Sequence, residues 1–121
     1  MCALTGFLAP DDPSLHATLD LIAGKLDHDG LLDRYEGQPD GLADTCAPFV
    51  FPSLWMAMAQ AMSQRESSSY LSAALASRSP LGLWGEVAHP DDHSPLGNYP
   101  QVQSHASFVL ATVEPRLNPR S

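Results

Sequence analysis

Residues 82–101, GLWGEVAHPDDHSPLGNYPQ, bring Trp84, Glu86, His89, Asp91, Asp92, His93, Asn98 and Tyr99 together in a stretch with no helical rhythm. A loop of that length in a short chain is usually functional. Glu86 offers a carboxylate that works as a general base wherever it stays ionised. HPDDH, residues 89–93, holds metal-ligand residue types, yet at loop spacing without the fixed one-turn separation of a helical ligand pair. A solvated turn is the expectation there, with no metal and no organic cofactor. Upstream, Arg34 and Tyr35 in LLDRYEG pair a planar hydrogen-bond fork with an aromatic ring. Arg34 could equally form an ion pair with Asp33, Glu36 or Asp40. His105 follows Ser104 at an expected helix start, where capping or packing is its default role.

Four amphipathic stretches must position these residues. In APDDPSLHATLDLIAGKLDHDG, Asp11 or Asp12 can cap a helix and Pro13 suits its first turn. Leu15, Leu19, Ile22 and Leu26 then share one face, and Gly30 is a natural stop, so a helix is expected over about 12–28. Residues 31–48 carry Gly, Pro and Asp at turn spacing and read as loop. FPSLWMAMAQAMSQ, 51–64, reads as a second helix with Leu54, Trp55, Met58 and Met62 on one face, a core stripe by default. SSSYLSAALASRS, 67–79, reads as a third, and SHASFVLATVE, 104–114, as a fourth stopped by Pro115. Strand signals are few. The expected fold is all-α, about four main helices joined by long loops in one domain over residues 1–121, with a frayed tail from about 115.

Composition narrows the partners. Six basic against fourteen acidic residues give a net charge of −8. No Lys or Arg cluster exists to neutralise phosphates, which argues against nucleic acid and anionic membrane surfaces. Cys2 and Cys46 form neither a disulfide framework nor a CxxC pair, and reduced buried thiols in a cytoplasmic protein are expected. The apolar MCALTGFLAP lacks a basic leader and is too short to span a membrane.

Five motifs in order, GFLAPDDPSLHATLDLI, GLLDRYEG with DGL, PFVFPSLWMAMAQA, SPLGLWGEVAHP and LGNYPQVQSHASFVLA, resemble the C-terminal part of the glycoside hydrolase family 15 catalytic domain. That family includes glucoamylases, glucodextranases and bacterial trehalases. The resemblance covers about residues 3–112. It implies helical hairpins corresponding to part of an (α/α)6 toroid, with the active site in loops at one end. It also implies inverting hydrolysis of α-glucosides by two carboxylates about 6.5–9.5 Å apart, an acid and a base. Glu86 matches the general base. Arg34 and Tyr35 match a substrate-binding Arg–Tyr pair, Trp84 would line the sugar subsite, and Asn98, Tyr99, Pro100, Gln101, Ser104 and His105 match a signature that shapes the base-side loop. The family's general acid lies far upstream, in a region this chain does not contain. Cys46 stands where a Glu is usual and Pro52 where a Cys is, so the loop at 40–48 has changed chemistry. A toroid missing neighbours would expose apolar flanks, so a homodimer or other oligomer is expected. The implied ligand is an α-glucoside or oligosaccharide, bound rather than cleaved unless another chain supplies the acid.

Overall fold

The computed structural model describes residues 4–36 and 47–117, with side chains to residue 113. Cys2, Cys46 and most of the 40–48 loop lie outside the described residues. The four helices are α1 (Pro13–Leu26), α2 (Val50–Met62), α3 (Ser68–Ala76) and α4 (Val102–Leu117). Two antiparallel hairpins join them: β1 (Asp27–His28) with β2 (Leu31–Leu32), and β3 (Val87–Ala88) with β4 (Pro95–Leu96). The protein is mainly helical, as the apolar periodicity predicts.

Local chemistry explains the boundaries. The Asp12 carboxylate accepts the Ser14 amide at 2.8 Å, and Pro13 opens α1 where no N–H is needed. At α3 the cap comes from one residue further out: Glu66 accepts from the amides of Ser68 (2.6 Å) and Ser69 (3.3 Å). Those hydrogen bonds, the Ser68 hydroxyl first, hold the Glu66 carboxyl below its ordinary value. α2 is the central element. Val50, Ser53, Leu54 and the run Met56–Gln60 are buried, and α3 and α4 both pack on it.

Three boundaries differ from the sequence expectation. α1 ends at Leu26, because Asp27 and His28 turn into a hairpin. Asp29 (φ 52) and Gly30 (φ 85) form its two-residue turn, the backbone that an Asp-Gly pair favours. A side chain at position 30 would also collide with α3, its Cβ falling 2.9 Å from the Ala73 Cβ. The long loop at 82–101 folds as the second hairpin, whose strands are too short to show an alternating pattern. α4 runs past Pro115 to Leu117, since proline's φ is helical and near a helix end its cost is chiefly one backbone hydrogen bond.

The two hairpins belong to one ribbon. Leu32 pairs with Asp27 on one side and Phe49 on the other; Phe49 pairs with Val87, and Val87 with Leu96. Phe49, at the N-cap of α2, thus joins the chain that follows α1 to the chain that follows α3. Ser53, fully buried one turn into α2, accepts the Leu32 amide at 2.8 Å and donates back to the Phe49 carbonyl. The Tyr70 hydroxyl donates to Asp27 at 3.1 Å, docking the first hairpin on α3; burial, then the Asp27 charge, push that phenol up to about 12. Among the described residues no helix is long and apolar enough to cross a membrane.

Candidate functional site

The ribbon sets Glu86 and Arg34 on one groove. Glu86 immediately precedes β3, and Arg34 lies two residues beyond β2. A cavity of about 530 Å³ is lined by both, by Asp33, Gln101 and Gln103, and by apolar side chains of α1 and α2. Its aromatic wall is Phe49, Phe51 and Trp55, ring on ring edge to face at 6.0 and 5.2 Å. The Trp55 indole N–H is held by Ser107 of α4 at 3.1 Å.

Glu86 sits in a tightly fixed stretch. Its amide donates to the Asn98 carbonyl (2.9 Å), its carbonyl accepts from Val50 (3.1 Å), and its carboxylate accepts from the Asn98 amide (3.3 Å). The two residues before it are held just as firmly. The Trp84 amide donates to His105 Nε2 (3.1 Å), the Trp84 carbonyl accepts from Gln101 (2.9 Å), and the Gly85 carbonyl accepts from the buried Ser104 hydroxyl (2.8 Å). The Gln101 side chain meets that same hydroxyl at 2.7 Å. Gly97 (φ +71) lets the return chain pass under the carboxylate; a Cβ there would approach Glu86 Oε2 to 3.1 Å. Residues 97–105 are therefore a mould for 84–86.

The Arg34 side is looser. Arg34 is exposed and lies over the rings of Tyr35 (5.1 Å) and Phe49 (5.6 Å). Tyr35 is exposed as well. Glu36, one of the three acids considered for Arg34, pairs with Lys25 at 2.7 Å. Asp33 is half-buried. Its Oδ1 is enclosed with no hydrogen-bond partner, and Oδ2 lies 3.7 Å from His28 Nδ1. Burial holds the Asp33 carboxyl above the ordinary range, against the smaller opposing pull of His28.

The remaining residues singled out by sequence fall as follows. Trp84 is a core residue, 4% exposed. Its N–H donates to the Ala74 carbonyl at 2.6 Å, and its ring lies against Phe108 and His105. It does not line the groove. Tyr99 is exposed and donates to the Ser79 hydroxyl at 2.8 Å. Asn98 and His105 touch the Glu86 stretch through the bonds given above. In 89–93, His89 and Asp92 serve the turn: the His89 amide donates to Ser94 O (2.8 Å) and Asp92 accepts the Ser94 amide (2.9 Å). Among the described residues no three His, Cys, Asp or Glu side chains converge on a metal site. Sequence reasoning missed Phe51 and Trp55 as groove residues. Their place in an apolar helical stripe gave them a core reading, and only the partial exposure of Trp55 separates it from Leu54 and Met58.

Comparison with known proteins points one way. The chain is 37% identical to a trehalase of Mycolicibacterium smegmatis over 117 residues, which is 93% of this chain and 18% of that protein. It is 33% identical to a trehalase of Mycobacterium tuberculosis, over 93% of this chain and 17% of that one. A trehalase of Sulfolobus acidocaldarius is 30% identical over 92% of this chain and 20% of its own. The chain is thus similar, over nearly its whole length, to a segment of these glycoside hydrolases, and spans between 17% and 20% of the curated relatives it matches. No family model matches it, and no solved structure does.

Proposed function

We propose that this chain forms the base side of an α-glucoside site of the glycoside hydrolase family 15 kind, with its four helices as a sector of an (α/α)6 toroid. The observation that carries this reading is the shared groove: Glu86 and Arg34 line one cavity with an aromatic wall of Phe49, Phe51 and Trp55. An aromatic face covers the apolar side of a pyranose, and a guanidinium presents a fixed fork to its hydroxyls. Glu86 is the general base that would activate water. Arg34, Tyr35, Asn98 and Tyr99 are the candidate sugar contacts, while Trp84 and His105 hold the backbone that presents Glu86. Similarity to trehalases makes trehalose the first ligand to test.

Inverting hydrolysis also needs an acid on the opposite face of the sugar. The family keeps that acid upstream of the matched segment, so this chain alone binds without cleaving, and hydrolysis requires an acid from elsewhere.

Tryptophan fluorescence tests the binding directly. Trehalose, maltose and a longer α-glucan should give a saturable change that persists in Trp84→Phe and disappears in Trp55→Phe. Arg34→Ala should weaken it and Glu86→Gln should retain it. No saturable change into the millimolar range, with circular dichroism confirming the fold, would overturn the reading.

A further inference from the structure

α4 is amphipathic the wrong way round for a lone chain. The side facing α2 buries Ser104, Ser107 and Ala111. The side facing solvent carries Val102 (83% exposed), Val109 (56%), Leu110 (47%) and Val113 (42%), with Ala106 exposed between them. At 100° per residue, Val102, Ala106, Val109 and Val113 fall on one narrow stripe, and Leu110 flanks it. α3 shows the ordinary arrangement, with Ser68, Ser69 and Ser72 outside.

The stripe has more than hydrophobicity. Its spacing is four, three, four, the repeat by which two helices interdigitate along a seam. Ala106, small and near the middle, allows close approach of the partner backbone. Electrostatics narrows the occupant further. The chain carries a net charge of −8, so two copies repel wherever acidic surfaces meet. From Val102 to Val113 there is no Asp, Glu, Lys or Arg. Two like-charged copies can therefore meet there without setting charge against charge, and an isologous contact needs only a face complementary to itself.

We propose that two copies of this chain associate through this face of α4, helix against helix about a two-fold axis. One helix pair is a small interface, so the association belongs to the weak class that shows at high protein concentration.

Sedimentation and light scattering of the full chain, up to several hundred micromolar, decide it. The expected result is a concentration-dependent rise toward twice the mass of one chain. Val109→Glu/Leu110→Glu should hold the protein at the single-chain mass with unchanged helical circular dichroism, because both positions are solvent-exposed in the single chain. Leu21→Glu, an exposed apolar position on α1, should dimerise like the wild type. A wild-type chain that stays at single mass across the range overturns the proposal and leaves a different polypeptide as what covers α4. A Val109→Glu/Leu110→Glu variant that still doubles in mass overturns it too, as does equal loss of the dimer in Leu21→Glu.

Discussion

The two sides of the groove are built differently. On the Glu86 side, the backbone from Trp84 to Glu86 is held by Asn98, Gln101, Ser104, His105 and Val50, and Trp84 anchors it in the core. On the Arg34 side, Arg34 and Tyr35 are exposed, with stacking on Tyr35 and Phe49 as the visible constraint on the guanidinium. A group meant to aim a water molecule needs fixed geometry, whereas a group that grips hydroxyls tolerates adjustment. The difference predicts that substitutions on the first side act through stability and those on the second through binding.

The hardest test of that contrast is Trp84→Ala. It empties a buried site walled by Phe108 and His105 and leaves the Ala74 carbonyl without its donor. Loss of an aromatic core side chain costs about 3–5 kcal/mol, read as a lower urea midpoint. If Trp84→Ala unfolds no more easily than Arg34→Ala, the two sides are not built differently at all.

Ser104→Ala is the finer probe. The hydroxyl is fully buried and serves the Gly85 carbonyl, so removing it should cost about 1–3 kcal/mol. Sugar binding should weaken with it, because Gly85 adjoins Glu86. Arg34→Ala should do the reverse. Its stability change stays within about 0.5 kcal/mol, as for exposed positions, while trehalose affinity falls about tenfold or more, the equivalent of about 1.4 kcal/mol. Equal stability losses in these two variants would erase the contrast.

Much of this was readable in advance, and the failures have causes. Helices α1 to α3 announce themselves because one face of each carries Leu, Met, Ala or Tyr at helical spacing beside a Pro, Asp or Ser start. The hairpins stay hidden because a two-residue strand has no period, although Asp29-Gly30 is a turn signal in its own right. Trp84 and Trp55 exchange roles for a different reason. Trp84 neighbours Glu86 in the chain, but its side chain goes inward to α3 and α4; Trp55 reads as core stripe, but its helix borders the groove. Chain adjacency says which backbone is near the base, and only the fold says which rings are. The reversed face of α4 is legible as a pattern of valines, yet nothing in the sequence tells which side meets α2.

The smallest expected effect lies at Asp33, between the two sides. Burial raises its carboxyl value, so the folded state holds that proton more tightly than the unfolded chain. Above the folded value the group is ionised in both states, and its desolvated charge costs stability. As pH falls through the folded value the folded form protonates first, and stability rises until the ordinary carboxylate range near 3.9 is passed. Asp12, Glu66 and Asp92 act oppositely. Hydrogen bonds lower their values, so their contributions are full above the ordinary range and are lost only as pH falls below it. The window between neutrality and the ordinary range therefore belongs to Asp33, with His28, 3.7 Å away, pulling against it once protonated. Asp33→Asn keeps the side-chain shape and can set its carbonyl oxygen where the enclosed Oδ1 lies. It should be more stable than the wild type at neutral pH by less than about 1 kcal/mol, with the gap closing as pH falls. A gap that is constant from pH 7 to 4 would mean the carboxyl is not desolvated, and the cost of the charge at the centre of the groove would vanish from the comparison.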